Sequence, residues 1–504
     1  MVKRTPVIMI RSLKAERGGI TRAAITRANA FAEKFDEVII VTFLYQQYHK
    51  KIIADLKEKR LLSKKVKVLN FFEDTKPNIK RRGESRDTQK NLIKEKGLVE
   101  FPDKRYKEEP SYRYYENGIY IKYKRFTEDG QLKFIDYMDS NRYRIKREEF
   151  NEQGLLVRTR HMDYLCNKSR MDRYFDDAGN CYMSVWLNAE TGDEERTLTF
   201  SGKPNEYKNL YKCQTMWLEK TLNNIAFPTI MCEQRTLDKM LREVKHYNIK
   251  RVSVVHANHL EKPFNNIFDI KKSYTNLFKN GNKFDKIILL TKEQKKDVEK
   301  AYKDLKNICV IPHPCEQINE LAKDRHKVNC NPNLAVTLAR FHKDKRLDEA
   351  IHAFKFVVNQ IPEAKYYIYG YGELKKELQE LIDKLNLNEN VYLKDYTLNQ
   401  KEVYQSAACS ILTSRQEGFG MVITESMAVG TPVVSYDTKY GPKDIIEDGV
   451  DGYVVEQGNK EQLAEKIIKI MQDKKLREIL SENALKVKKT FSEKKYKNSW
   501  FDLI

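Results

Sequence analysis

The sequence predicts an α/β protein with two Rossmann-like domains and an antiparallel β-meander inserted in the first. Three observations carry that prediction. Apolar strand patterns alternate with amphipathic helix patterns before residue 76 and again after 204, the signature of parallel βα units. Between them aromatic and charged residues alternate, as in Tyr120-Ile121-Lys122-Tyr123-Lys124-Arg125-Phe126, and turn glycines recur at 130, 154 and 179. Spacings of 24 and 25 residues give two strands and two turns per repeat. Finally, glycine-containing turns follow strand patterns at Gly18-Gly19, Gly370-Tyr371-Gly372 and Gly418-Phe419-Gly420. Open parallel sheets take their ligands at such strand ends.

The expected boundaries are 1–75 for the first part of the N-terminal domain, 76–204 for the insertion and 205–323 for its second part. Residues 324–485 form the second α/β domain, and 486–504 a last helix packing back across the domains. Composition fits a folded enzyme: aromatics reach 11% although charged residues reach 33% of the 504. Eight cysteines are scattered without a CxxC, which suits reduced structural thiols in a cytoplasm. No apolar run approaches the ~20 residues of a membrane span, and Met1–Ile10 is too short for a signal peptide. The net charge of +21 favours polyanionic partners or peripheral contact with an acidic membrane face. No zinc finger, RNP motif or helix-turn-helix accompanies it, so nucleic acid is not the expected partner.

Taken in order, Thr5–Arg11 and Val38–Phe43 read as strands around a helix Arg22–Lys34. Gly18-Gly19 lacks the GxGxxG spacing; it is either a tight turn or a place where backbone approaches a ligand. The insertion holds 27 Lys and Arg against 23 acids, so it is not the main source of the charge. Its open edges need cover or pairing, and its role is acceptor binding, oligomerisation or both. Helix Asn209–Leu222, strand Thr229–Cys232 and helix Leu237–His246 follow. Strand Val252–Val255 then delivers His256-Ala257-Asn258-His259 at its carboxyl end. Two histidines at i, i+3 raise zinc, but no third ligand stands nearby. Strands Ile287–Leu290 and Ile308–Ile311 complete this part, and Asp324–Asn333 reads as a linker.

In the second domain, strand Leu334–Ala339 runs into a loop carrying Arg340 and Lys345, ahead of helix Leu347–Val358. Two fixed cations beside a helix N-terminus suit a diphosphate and stabilise its charge as a leaving group. Gly370 and Gly372 end the next strand, and Asp395-Tyr396-Thr397 follows Val391–Leu393. Cys409–Leu412 then leads through Glu417 and the Gly418-Phe419-Gly420 turn into a helix that holds Glu425. The helix start offers unpaired N–H groups to a phosphate, and Glu425 sits roughly 7 Å along the axis. One anion site with a hydroxyl-binding carboxylate on each side is what a nucleotide-sugar needs. The tail Leu463–Phe491 reads as helical, and Trp500 and Phe501 form an apolar seam for a last helix or for membrane attachment.

Arg340…Lys345, the Gly370/Gly372 strand end and Glu417-x7-Glu425, in this order, resemble the nucleotide-sugar half of retaining GT-B glycosyltransferases of family 4. Gly18-Gly19, the insertion, Val254-Val255-His256-Ala257-Asn258-His259 and Lys439–Tyr453 further resemble bacterial α-glycosyltransferases of poly(glycerol-phosphate) or poly(ribitol-phosphate) teichoic acid. The resemblance implies that Gly18 and Gly19 back onto the diphosphate and that His256 contacts the donor sugar. It implies that Arg340 and Lys345 hold the diphosphate, Glu417 the sugar hydroxyls and Glu425 the ribose. The N–H groups around Phe419, Gly420 and Met421 then face phosphate, and the base lies near Gly370–Gly372 and Tyr396. The implied reaction is front-face transfer of glucose or GlcNAc from a UDP-sugar, with retention, to a teichoic acid hydroxyl. A homotrimer formed through the insertion and a cytoplasmic location are also implied. No Asp-x-Asp occurs, so neither metal nor cofactor is expected. A GlcNAc transferase acting on Ser/Thr-rich adhesin is the alternative enzyme. A non-catalytic GT-B-like binding subunit would be expected to lose the Arg/Lys pair or the paired glutamates, and all four are present.

Overall fold

The computed structural model describes residues 3–13, 19–79, 92–105, 108–315 and 330–504. Gly18 and most of the expected linker lie outside the described residues. By compactness the chain divides into one unit of Met1–Cys232 with Leu237–Lys250 and another of Glu233–Thr236 with Arg251–Ile504. The division at 250/251 falls well before the expected linker. His256 therefore shares a compact unit with the whole nucleotide-sugar half.

The first unit contains parallel strands in the order Pro228–Cys232, Thr5–Ile10, Val38–Thr42 and Val66–Asn70. Val38–Thr42 and Pro228–Cys232 are buried along their whole length, as strands covered on both faces must be. Helix Gly19–Lys34 starts three residues earlier than expected, and buries small residues including Ala23, Ala24 and Ala28. The expected helix Leu237–His246 is only Asp238–Glu243, preceded by a 3-10 turn.

Ten antiparallel strands, from Val99–Pro102 to Asn205–Tyr207, follow one another in sequence order across the meander. The 24- and 25-residue glycine spacing has a plain origin. Gly130, Gly154 and Gly179 all sit at positive φ, and their N–H groups donate to the carbonyls of Thr127, Asn151 and Asp176. Asn151 and Asp176 side chains each accept two further turn N–H groups. The meander runs three residues past the expected limit at 204, because Asn205–Tyr207 pairs with Glu194–Thr199. Buried carboxylates are matched across strands by arginines: Asp136 with Arg147 at 2.7 Å, Glu149 with Arg158 at 2.8 Å and Asp172 with Arg160 at 3.2 Å. The edge strand Val99–Pro102 leaves Val99 and Phe101 exposed.

The second unit holds parallel strands Ile308–Val310, Lys286–Leu289 and Lys250–Val254 in that order, and a separate six-stranded parallel sheet. The six run Val391–Lys394, Lys365–Tyr369, Asn331–Leu338, Ala407–Leu412, Val433–Tyr436 and Gly452–Val455. Strand order reverses between Asn331–Leu338 and Ala407–Leu412, so the carboxyl ends of that pair open a crevice. These two ends carry Arg340 and the Thr413–Gly420 turn. The tail Leu463–Phe491 is three helices rather than one, broken first at Asp473, whose side chain caps the helix Lys474–Ala484, and the expected last helix follows. In the last helix, Glu493–Leu503, Tyr496, Trp500 and Leu503 are buried, so its apolar side is already covered. No described helix is long and apolar enough to cross a membrane.

Candidate active site

The site is built on the switch point of the six-stranded sheet. Ala407–Leu412 is buried throughout, and the chain leaves it into a turn that Gly420 closes at φ +88°, directly before helix Met421–Ala428. The N–H groups of Gly418, Phe419 and Gly420 meet no acceptor among the described residues. They stand at the positive end of the new helix, where an anion is favoured. Glu425 is the fifth residue of that helix and half-buried.

Lys345 and Glu417 are brought together. Lys345 Nζ donates to Glu417 Oε1 at 2.5 Å, with the two side chains 22% and 14% exposed. Main-chain bonds fix both. Thr413 Oγ1 donates to the Lys345 carbonyl, and Arg415 N–H to that of Asp344. Glu417 exchanges N–H···O bonds with Lys439 and Tyr440 on its other side. Arg340 stands exposed on the same loop as Lys345, and its side chain makes no hydrogen bond or ion pair among the described residues. It is an available cation.

Gly370 and Gly372 have a steric reason to be glycine that the sequence reading did not give. A Cβ on Gly370 would lie 1.9 Å from the Ala339 carbonyl oxygen, and one on Gly372 2.4 Å from that of Phe341. The two glycines clamp the backbone on either side of Arg340, helped by the bonds Ala339 N–H to Tyr369 and Phe341 N–H to Tyr371. Beyond them Tyr371 and Tyr396, both exposed, meet edge to face with ring centroids 5.9 Å apart. Phe419 differs from expectation in its side chain. It is buried among Leu290, Ile423, Met427 and Phe491, which leaves only its main chain to a ligand.

His256 comes to the same place. A Cβ on Gly418 would sit 2.0 Å from the His256 carbonyl oxygen, so that glycine is what lets the two backbones touch. His256 Nε2 is 2.6 Å from Glu233, which is buried, and the His256 ring stacks on His313 at 5.7 Å. His259, by contrast, is enclosed. It stacks on Tyr440, hydrogen-bonds Gln294, and is held neutral by burial with its pKa pushed down to about 4.

Several supporting residues had no role in the sequence reading. Asn258 donates to the Lys439 carbonyl at 2.9 Å, and Asp297 accepts from both Lys439 Nζ and Tyr440 OH. Asp444 caps helix Lys292–Ala301 from a distant part of the sequence. Burial pushes Glu293, in the first turn of that helix, up to about 7. A Cβ on Gly441 would lie 1.8 Å from the Phe419 carbonyl oxygen. Asn258, Gly441 and Asp444 lie in stretches named above for their resemblance, and Glu233 had a signal of its own, a carboxylate directly after a mostly apolar strand. Of the remaining expected residues, Gly19 opens its helix in the first unit, and Gly18 lies outside the described residues.

Residues 319–487 match the family model Glycosyl transferases group 1, and residues 8–200 match Glycosyl transferase 1 domain A. A solved structure of TarM from S. aureus, a variant in complex with fondaparinux, α-GlcNAc-glycerol and UDP, superposes with a TM-score of 0.84. It is 26% identical, and 99% of each chain is covered. The chain has the fold of a GT-B glycosyltransferase. The chain is 28% identical to the poly(glycerol-phosphate) α-glucosyltransferase of Bacillus subtilis, over 97% of this chain and 73% of that one. It is also 28% identical to the poly(ribitol-phosphate) α-N-acetylglucosaminyltransferase of Staphylococcus aureus, over 92% of each. Arg340, Lys345, Glu417 and Glu425 all fall inside the group 1 match, whereas His256 lies in a stretch that neither model covers.

Proposed function

We propose that this protein transfers glucose or GlcNAc from a UDP-sugar, in α-linkage and with retention, to hydroxyls of a polyol-phosphate teichoic acid. The observation that carries the reading is the Lys345–Glu417 pair, on the same switch point as an exposed Arg340 and the N–H groups of Gly418, Phe419 and Gly420, which meet no acceptor among the described residues. The relatives' polyol-phosphate chemistry supports the acceptor class.

In this scheme the diphosphate lies against Arg340, Lys345 and the N–H groups of Gly418–Met421. Lys345 has three N–H donors and Glu417 more than one acceptor site, so the pair can persist while each also meets the donor. Glu417 takes sugar hydroxyls and Glu425 the ribose. Tyr371 and Tyr396 offer ring faces near the position assigned to the base. Gly19 has ordinary backbone angles and open space around a would-be Cβ, so packing does not demand a glycine there. That supports backbone approach to the donor. His256, oriented by Glu233 and His313, contacts the sugar.

The bond from the anomeric carbon to the phosphate oxygen breaks as the acceptor oxygen bonds on the same face. The acceptor proton passes to the leaving phosphate oxygen. Negative charge growing on UDP is met by fixed cations and the helix entry, without a metal in the scheme. Family 4 membership, a cytoplasmic location with peripheral membrane contact, and a trimer paired through the meander edge at Val99 and Phe101 belong to the same proposal.

The deciding experiment is a transfer assay pairing UDP-glucose and UDP-GlcNAc with poly(glycerol-phosphate), poly(ribitol-phosphate) and a Ser/Thr-rich peptide, with the linkage read by NMR. An α-linked sugar on a polyol chain is expected. Transfer to peptide alone, or a β-linked product, would overturn the reading.

A further inference from the structure

The meander is nearly balanced in charge, so the source of the +21 lies elsewhere. One concentrated source is the segment 49–67 of the first unit, which holds eight Lys and Arg against two carboxylates. Helix His49–Glu58 ends there, and the chain turns through Lys59, Arg60, Lys64 and Lys65 into the edge strand Val66–Asn70. Lys51, Lys59, Arg60, Lys64, Lys65 and Lys67 are all exposed, and none of them makes an ion pair among the described residues. Of the carboxylates outside the segment, Asp36 near Lys65 is already paired with Lys3, and Asp74 stands near Lys67.

Two features show that the cationic turn is held in place. Asn29 clamps it from helix Gly19–Lys34, donating to the Leu61 carbonyl at 2.9 Å and accepting from Ser63 N–H at 2.9 Å. Arg60 occupies the left-handed region at φ +55°, where glycine would be less strained. A long cation kept at that position argues for use of its charge.

We infer that this face docks a phosphodiester polymer, so that a long polyol-phosphate acceptor is gripped here at units remote from the one being glycosylated. The inference rests on the acceptor class proposed above. Charge complementarity selects a polyanion, and the lack of an apolar anchor selects a polymer over a membrane. None of the exposed large apolar side chains among the described residues lies between 49 and 67, whereas surface-binding helices bury an apolar face in lipid. The edge strand spans about 17 Å at ~3.3 Å per residue, from Lys65 to Asn70 at its carboxyl end. Several repeats of a polyol-phosphate chain fit along such a length.

The test substitutes Lys59, Arg60, Lys64 and Lys65 together by Gln. Anisotropy of labelled poly(glycerol-phosphate) reads binding without donor, and transfer kinetics are followed on long polymer and on a one- or two-unit acceptor. Polymer binding is expected to weaken about tenfold or more. Its log–log salt slope is expected to fall by about 3, by analogy with counterion release from single strands. KM for the polymer rises, while kcat and the short-acceptor kinetics hold. Arg60→Gly should keep or raise thermal stability and still weaken polymer binding, which a merely structural arginine would not do. Unchanged polymer affinity in the fourfold variant overturns the inference, as does loss of binding to anionic vesicles with polymer binding intact. If the wild type moves no sugar to either polyol chain, the acceptor reading fails, and the binding arm still decides whether this face holds the polymer.

Discussion

Lys345→Ala separates catalysis from stability at the proposed site. The lysine sits 2.5 Å from Glu417, with both side chains largely enclosed. At an effective dielectric near 20, unit charges 4 Å apart attract by about 4 kcal/mol, much of which offsets the cost of desolvating both. Removing the cation leaves the Glu417 carboxylate without its partner, a loss of about 1–3 kcal/mol in stability. In the reaction the loss is greater in kind. A donor aimed at charge that grows in the transition state contributes about 2.7–4 kcal/mol, or 10²–10³ in kcat. Without Lys345, Glu417 would also repel the departing diphosphate. We therefore expect kcat to fall at least 10²-fold with saturating UDP-sugar, measured as UDP release coupled to polymer glycosylation. Lys345→Met combined with Glu417→Gln should recover stability, because neither charge remains, and recover no turnover. Turnover of Lys345→Ala within a few-fold of wild type, or revival of turnover in the double variant, would refute the assignment.

Gly418→Ala should weaken UDP binding and lower the melting temperature, since the added methyl would lie 2.0 Å from the His256 carbonyl oxygen and backbone must move; calorimetry with UDP checks both. Asp297→Asn keeps a polar group but removes the charge that meets Lys439 and Tyr440, whose backbone holds Glu417. It should raise the donor KM more than it lowers kcat, with Asp297→Glu partly restoring the wild-type value. Glu293 is raised from 4.5 to about 7, so the folded protein holds its proton where the unfolded chain has lost it. Its contribution to stability is fully present below about 4.5 and is lost as pH rises to about 7. Glu293→Gln should thus match wild type near pH 4.5 and exceed it above pH 7 in melting-temperature scans. The difference between the two proteins isolates this group from His259, whose depressed pKa has the opposite slope between about 4 and 6.5. Removing Lys76–Pro204 should reduce the proposed trimer to monomer by light scattering, and an unchanged mass would remove the meander from the interface.

What could be seen in the sequence was whatever has a local period or a local turn. The meander repeat was legible because Gly130, Gly154 and Gly179 each close a hairpin of the same kind. The helix start at Met421 was legible because Gly420 needs its positive φ within the turn itself. The site's other glycines answer to distant chain, and no spacing rule reaches them. Gly370 yields to the Ala339 carbonyl, Gly418 to that of His256, and Gly441 to that of Phe419. The same holds for Glu233, Asn258 and Asp297, which act by meeting His256, Lys439 and Tyr440 across intervals of 23 to 181 residues. Phe419 shows how the two levels can divide one residue: its main chain obeys the turn and faces the helix entry, while its side chain is claimed by the core around Phe491. A change at Phe419 should consequently register first in stability and only then in donor binding. The residues proposed to touch the donor were legible from order and chemistry, but those that hold them still became visible only once the strands were laid side by side.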